Sequence, residues 1–199
     1  MSTDNVSVDN PVSADTVAAA KAKRRNLIIL LAALAILLNG LFNFFTSQGN
    51  SHNEMIKIGA RFPNFSIKQL DDRIVTADEF KGKPTIYFFF ANWCPCSHAS
   101  VELVKKAIAD NARHGVALCS IGIQDTPEEL AKFIKKHNMP PPVGVSGGKE
   151  MADQLGIRTT PTTLFVDANG VVRHIFIGKI ERYEQIGNGV ISITGKATA

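Results

Sequence analysis

Cysteine is scarce in this chain, with three among 199 residues. Three are too few for a disulfide scaffold, and an odd number leaves at least one thiol free. No internal repeat and no long low-complexity tract is visible, so a repeat architecture is not expected. The net charge of +4 is spread thinly, and no basic stripe with interleaved aromatics forms, which argues against a nucleic-acid partner. Charge of either sign is missing altogether from Leu27 to Phe45. A length of 199 residues then leaves room for one globular domain and an appendage.

The appendage is the N-terminal part. Met1 to Ala20 is polar and small-residue-rich without a helical apolar face, and reads as disordered. Lys21, Lys23, Arg24 and Arg25 follow, and then the uncharged tract. At 1.5 Å per residue the tract would span roughly 28 Å, close to the hydrocarbon thickness of a bilayer. It is too long for a signal-peptide core, Phe44 and Phe45 spoil a small-residue cleavage site, and no lipobox cysteine follows. The expectation is an uncleaved transmembrane anchor. Cations precede the span and none follows until Lys57, so the positive-inside rule puts the N-terminus in the cytoplasm and the rest outside it, periplasmic or extracellular. The expected organisation is a cytoplasmic tail over 1–26, an anchor over 27–45, a linker over 46–55 and a folded domain over 56–199.

Within the domain, Ile56 to Pro63 and Phe65 to Leu70 are expected to be extended, with a turn at Asp71 and Asp72 into Ile74 to Thr76. Thr76 and Glu79 fit a capping box for a short helix closed by Gly82. Thr85 to Phe90 is β-branched and aromatic without alternation, which predicts a strand buried on both faces. Val101, Val104 and Ile108 give the following stretch a helical apolar face that stops at Gly115. Val116 to Ile123 is a second buried strand, expected parallel to the first. Thr126, Pro127 and Glu129 open another helix that stops near Asn138. Glu150 to Leu155 is a short helix ended by Gly156. Thr162 to Val166 and Val171 to Ile177 form a hairpin through Asp167 to Gly170. Glu181 to Ala199 has too weak an apolar pattern to predict a long helix. This order is a mixed sheet with helices on both sides.

Cys94 and Cys96 flank Pro95 where the buried strand gives way to its helix. A cysteine in the first turn of a helix faces unpaired N–H groups and the positive end of the dipole, and these favour its thiolate. Cys94 and Cys96 are therefore the candidate catalytic pair. Cys119, inside an apolar strand, reads as a small core residue.

Five segments, in order, resemble the TlpA/ResA-like family of membrane-anchored thiol-disulfide oxidoreductases. They are Ile58 to Phe65, Lys81 to Pro84, Ala91 to Cys94, Gly156 to Thr163, and Asp167 to Gly170. The resemblance covers about 56–178 and implies a thioredoxin-like α/β fold with a central mixed sheet flanked by helices. It further implies that Pro161 is cis and lies beside the reactive thiol, that Thr160 offers backbone to an extended substrate, and that Trp93 joins them in binding it. Expected partners are a protein thiol or disulfide substrate and a membrane or extracytoplasmic electron-donor protein. No cofactor is expected.

The chain departs from the family in its motif. Cys94-Pro95-Cys96-Ser97 stands in place of Cys-x-x-Cys. Either Ser97 occupies the position of the resolving thiol, or one residue is deleted and Cys96 resolves within a Cys-x-Cys pair. The buried acid of thioredoxins is replaced by Phe88, and Glu102 sits too far along the helix to substitute. A peroxidase is disfavoured because Tyr87 and Ala91 fill the positions of the peroxide-binding Pro and Thr. Thiol-disulfide exchange is the leading reading. The alternatives are a Cu(I) site built from Cys94, Cys96 and His98, with His98 otherwise a solvated helix residue, and a redox-inert docking module.

Overall fold

The computed structural model describes residues 31, 34–38, 54–145 and 147–195. The chain divides into two compact units, residues 1–51 and 52–199. In the first, Leu31 and residues 34–38 are helical, with exposed side chains. The rest of the expected tail and span, and the linker up to residue 53, lie outside the described residues. Among the described residues no helix is long and apolar enough to cross a membrane.

The second unit is built on a five-stranded sheet. After a small antiparallel pair, β1 (Ser66–Lys68) and β2 (Ile74–Thr76), come β3 (Thr85–Phe90), α1 (Pro95–Asp110), β4 (Ala117–Gly122), α2 (Pro127–His137), β5 (Val143–Gly144), α3 (Gly148–Gln154), β6 (Thr162–Val166), β7 (Val172–Ile177) and α4 (Tyr183–Thr194). The sheet order is β5-β4-β3-β6-β7, with β4 parallel to both β3 and β5, and β6 antiparallel to both β3 and β7.

β3 lies at the centre and all six of its residues are buried. Ile86, Phe88 and Phe90 face one core with Val101 and Val104 of α1, Phe133 of α2 and Val190 of α4. Tyr87 and Phe89 face the other, with Ile67 of β1, Cys119 of β4 and Met151 of α3. Each such aromatic contributes about 1.5–3 kcal/mol through burial, which fastens the strand that leads to the cysteines into both cores.

The N-terminus of α2 carries the expected capping box between Thr126 and Glu129, and Asn138 ends the helix in the left-handed region with φ of 46°. The box at Thr76 and Glu79 caps a short 3₁₀ turn. Three expectations need correction. Ile56 to Pro63 is not a strand. It lies against the start of β7 through bonds such as Gly59 N–H to the Val172 carbonyl at 2.8 Å, with one β-bridge between Arg61 and Val171. The helix after the cysteines ends at Asp110, and a 3₁₀ turn carries the chain on to Gly115. The C-terminal stretch forms α4, whose Ile186, Val190 and Ile193 are buried. Gly187 and Gly189 lower its intrinsic helix propensity. A Cβ at Gly189 would collide with the Phe165 ring, so this glycine lets the helix lie close on β6.

Candidate active site

β3 ends at Phe90, and Ala91 to Cys94 form a turn closed by Cys94 N–H donating to the Ala91 carbonyl at 3.2 Å. α1 starts at Pro95, whose missing N–H costs nothing at a first helical position. Cys94 is therefore the N-cap, with φ −91° and ψ 112°, rather than a member of the first turn. A side chain at the N-cap reaches the N–H groups two and three residues on, which here belong to Cys96 and Ser97.

Cys94 is only 7% exposed. Burial pushes its thiol up, but the Ser97 N–H, the hydroxyls of Thr160 and Ser97, and the Cys96 N–H outweigh it, and the net displacement is downward. When protonated, Sγ donates to the Thr160 carbonyl at 3.3 Å. The Thr160 hydroxyl is buried without a hydrogen-bond partner in the resting geometry, so it is available to a thiolate. Thr160–Pro161 is cis, as the resemblance implies, and Pro141–Pro142 is cis as well.

Ser97 is fully buried, and its Oγ accepts the Ala91 N–H at 3.2 Å. Cys96 is half-buried, and neither it nor Cys94 is in a disulfide. Trp93 is 59% exposed and borders a small cleft of about 80 Å³ lined also by Ile123, Gln124, Arg158 and Thr160. The expected residues Trp93, Cys94, Ser97, Thr160 and Pro161 thus gather at one end of the sheet. A larger cavity of about 580 Å³, bordered by Phe62, Phe80 and Tyr87, contains none of them.

Glu102 is exposed and paired with Lys105, and Phe88 is fully buried. An acid nevertheless stands at the turn. Asp125, just beyond β4, accepts the Asn92 N–H at 2.6 Å, and the Trp93 N–H is near enough to favour its charged form. Burial raises its pKa, against the pull of these two N–H groups, with Glu129 adding to the rise and His98 opposing it. His98 is half-buried rather than solvated, with one ring nitrogen 2.7 Å from the Asn92 carbonyl and the other 2.7 Å from His137. Both nitrogens are thus engaged. Among the described residues no three of His, Cys, Asp and Glu gather to hold a metal.

Asp125 and His137 were not singled out from the sequence. The parallel pairing of β3 with β4 is the signal that could have found Asp125, because parallel neighbours end on the same side of a sheet. His137, at the far end of another helix, carries no comparable signal.

Relatives of the chain include the thiol-disulfide oxidoreductase ResA of Bacillus cereus, 24% identical over 150 residues, which span 75% of this chain and 87% of that protein. ResA of Oceanobacillus iheyensis is 25% identical over 164 residues, 80% and 85% of the two chains. Among solved structures, a thiol:disulfide interchange protein of the thioredoxin family from Chlorobium tepidum superposes with a TM-score of 0.61 at 22% identity, over 70% of this chain and 99% of that one. A secreted Mycobacterium tuberculosis disulfide oxidoreductase gives 0.57 at 17% identity, over 63% and 93%. These superpositions establish the thioredoxin-like fold. Residues 58–175, which carry the turn, the thiols, the cis-proline and the hairpin, match the family model of AhpC/TSA, and the chain belongs to that family.

Proposed function

We propose that the protein is a thiol-disulfide oxidoreductase of the ResA type, anchored in the cytoplasmic membrane by 27–45, with its folded domain on the outer side. The observation that carries the chemistry is the N-cap position of Cys94, where the N–H groups opening α1 and nearby hydroxyls favour the thiolate of a sulfur that also meets the Thr160 carbonyl before a cis-proline. The support for the anchor is the uncharged tract behind four cations.

In the forward direction the Cys94 thiolate attacks one sulfur of a protein disulfide. The substrate S–S bond breaks, a Cys94–substrate disulfide forms, and the other substrate sulfur leaves as a thiolate that takes a proton from solvent. A second thiolate, from Cys96 or from an external thiol, then attacks Cys94 Sγ and releases the reduced substrate. Two electrons have passed to the substrate, and a donor dithiol must restore the oxidised site. Attack by a second thiol of the same substrate gives isomerisation instead.

The test is thiol trapping of the full chain in detergent across glutathione buffers, in a Cys119→Ala background. A reversible Cys94–Cys96 disulfide would establish a Cys-x-Cys oxidoreductase, and its potential would set the favoured direction. A Cys94–glutathione disulfide alone would mean monothiol chemistry with Ser97 in the resolving position. No reaction at Cys94 would reject the proposal. Reporter fusions after Phe45 and at the C-terminus should both read as extracytoplasmic, and a cytoplasmic C-terminus would reject the topology.

A further inference from the structure

The turn around the Asn92–Trp93 peptide is held from two sides. The peptide's carbonyl meets His98 Nε2 at 2.7 Å, and the preceding Asn92 N–H donates to the Asp125 carboxylate at 2.6 Å, with the Trp93 N–H close by. This is the central peptide of the turn that ends in Cys94. Rotating it would exchange one turn type for another and move the N-cap sulfur relative to the Cys96 and Ser97 N–H groups.

The clamp has a defined direction. A carbonyl accepts, so His98 Nε2 carries a proton, and in the neutral ring Nδ1 then accepts from His137 Nε2 at 2.7 Å. If His98 gains a second proton, Nδ1–H donates to His137 instead, and the bond to Asn92 survives. His137 is anchored in turn: Lys105 Nζ donates to its carbonyl at 2.8 Å, and its ring packs on Phe133 at 4.6 Å between centroids. His98 packs on the same Phe133 ring at 4.7 Å. The other charged groups around the pair are Glu102 and Lys136 beside His137, and Glu129 beside Asp125.

From this geometry we propose that His98, backed by His137 and opposed by Asp125, is a positioning residue for the exchange reaction: it fixes the Asn92–Trp93 peptide and so the placement of Cys94 Sγ at the N-terminus of α1. This rests on the thiol-exchange reading and adds to it the residues that hold the nucleophile. They act from the turn rather than from the core position that Phe88 occupies.

The experiment is the pH dependence of iodoacetamide trapping of Cys94 by the full chain in detergent, read by mass spectrometry, with thermal midpoints measured in parallel. His98→Ala should raise the pH midpoint of trapping by about one, and so slow trapping at pH 7 about tenfold, because below the midpoint the thiolate fraction falls tenfold for each such step. His98→Gln, whose amide N–H can still reach the Asn92 carbonyl, should restore most of the wild-type profile. His137→Ala leaves His98 in place but unbuttressed. It should give a smaller displacement in the same direction and serves if His98→Ala does not fold. Lowered thermal midpoints with an unmoved trapping profile in His98→Ala and His137→Ala would overturn the proposal, since a structural role predicts that pattern. A low wild-type midpoint that no variant moves would overturn the clamp alone. An ordinary thiol midpoint in the wild type would overturn the clamp and the exchange reading together.

Discussion

Cys94 and Cys119 are both buried, at 7% and 0% exposure, yet their chemistry diverges. Cys119 lies in the middle of β4, opposite Tyr87 on the neighbouring strand and packed into the core that also holds Phe89 and Ile121. The N–H groups around it are committed to the sheet, so burial pushes its thiol far up, with Glu79 adding to the rise. Cys94 lies where a strand has ended and a helix has only begun, and the first N–H groups of the helix are still free to donate. Burial acts on both sulfurs in the same direction. The supply of uncommitted donors decides between them.

The sharpest way to break this comparison is to exchange the roles. Cys94→Ser should abolish reduction of a disulfide substrate, while Cys119→Ala should leave its rate unchanged. Loss of activity in the second variant would mean that the core thiol takes part. Almost as large is the contrast in labelling. Iodoacetamide at neutral pH should modify Cys94 with a midpoint below the ordinary thiol value of about 8.5, whereas Cys119 should react only after denaturation, and native-state labelling of Cys119 would contradict its burial. Smaller effects sharpen the account of the donors. Ser97→Ala removes the acceptor of the Ala91 N–H and one donor to the thiolate, so it should cost about 1 kcal/mol in urea unfolding and raise the Cys94 midpoint. Cys119→Ser places a hydroxyl among apolar side chains and should cost about 1–3 kcal/mol without moving the Cys94 midpoint.

A last contrast is in the pH dependence of stability, where the two thiols carry opposite signs. The folded pKa of Cys94 is depressed, so its contribution is present above the unfolded value of about 8.5 and is lost as pH falls through the folded value. The folded pKa of Cys119 is raised, so its contribution is fully present below the unfolded value and is lost as pH rises from there toward the folded one. Urea midpoints from pH 6 to 10 should therefore lose their rise toward pH 8.5 in Cys94→Ala and their fall above it in Cys119→Ala. The reverse assignment would refute the comparison.

Most of the sheet was legible because its signals are local. The unbroken apolar run of β3, the capping box of α2 and the turn residues between β6 and β7 are each written in a few adjacent positions, and each element formed there. α4 was not legible. Its two interior glycines suppress the helical signal, and the reason for one of them is the Phe165 ring on another element. Ile56 to Pro63 failed for a similar reason: its backbone bonds run to Leu155, Gly170 and Val172, and its local pattern could not say that only one bridge would form. At the site, Cys94, Ser97, Thr160 and Pro161 were visible through the motif and the resemblance it carries. Asp125 and His98 were not legible in their roles, since each acts on a peptide bond rather than on the sulfur.

By itself the sequence determined that a buried strand would run out into a thiol at a helix start, since strand burial and helix initiation depend on near neighbours. Only the tertiary structure decided what surrounds that thiol. Thr160 lies 66 positions from Cys94 and Asp125 lies 33 from Asn92. Such groups meet because the sheet aligns the ends of its strands, and hydrogen bonds of 2.6–3.3 Å exist only once that alignment is complete.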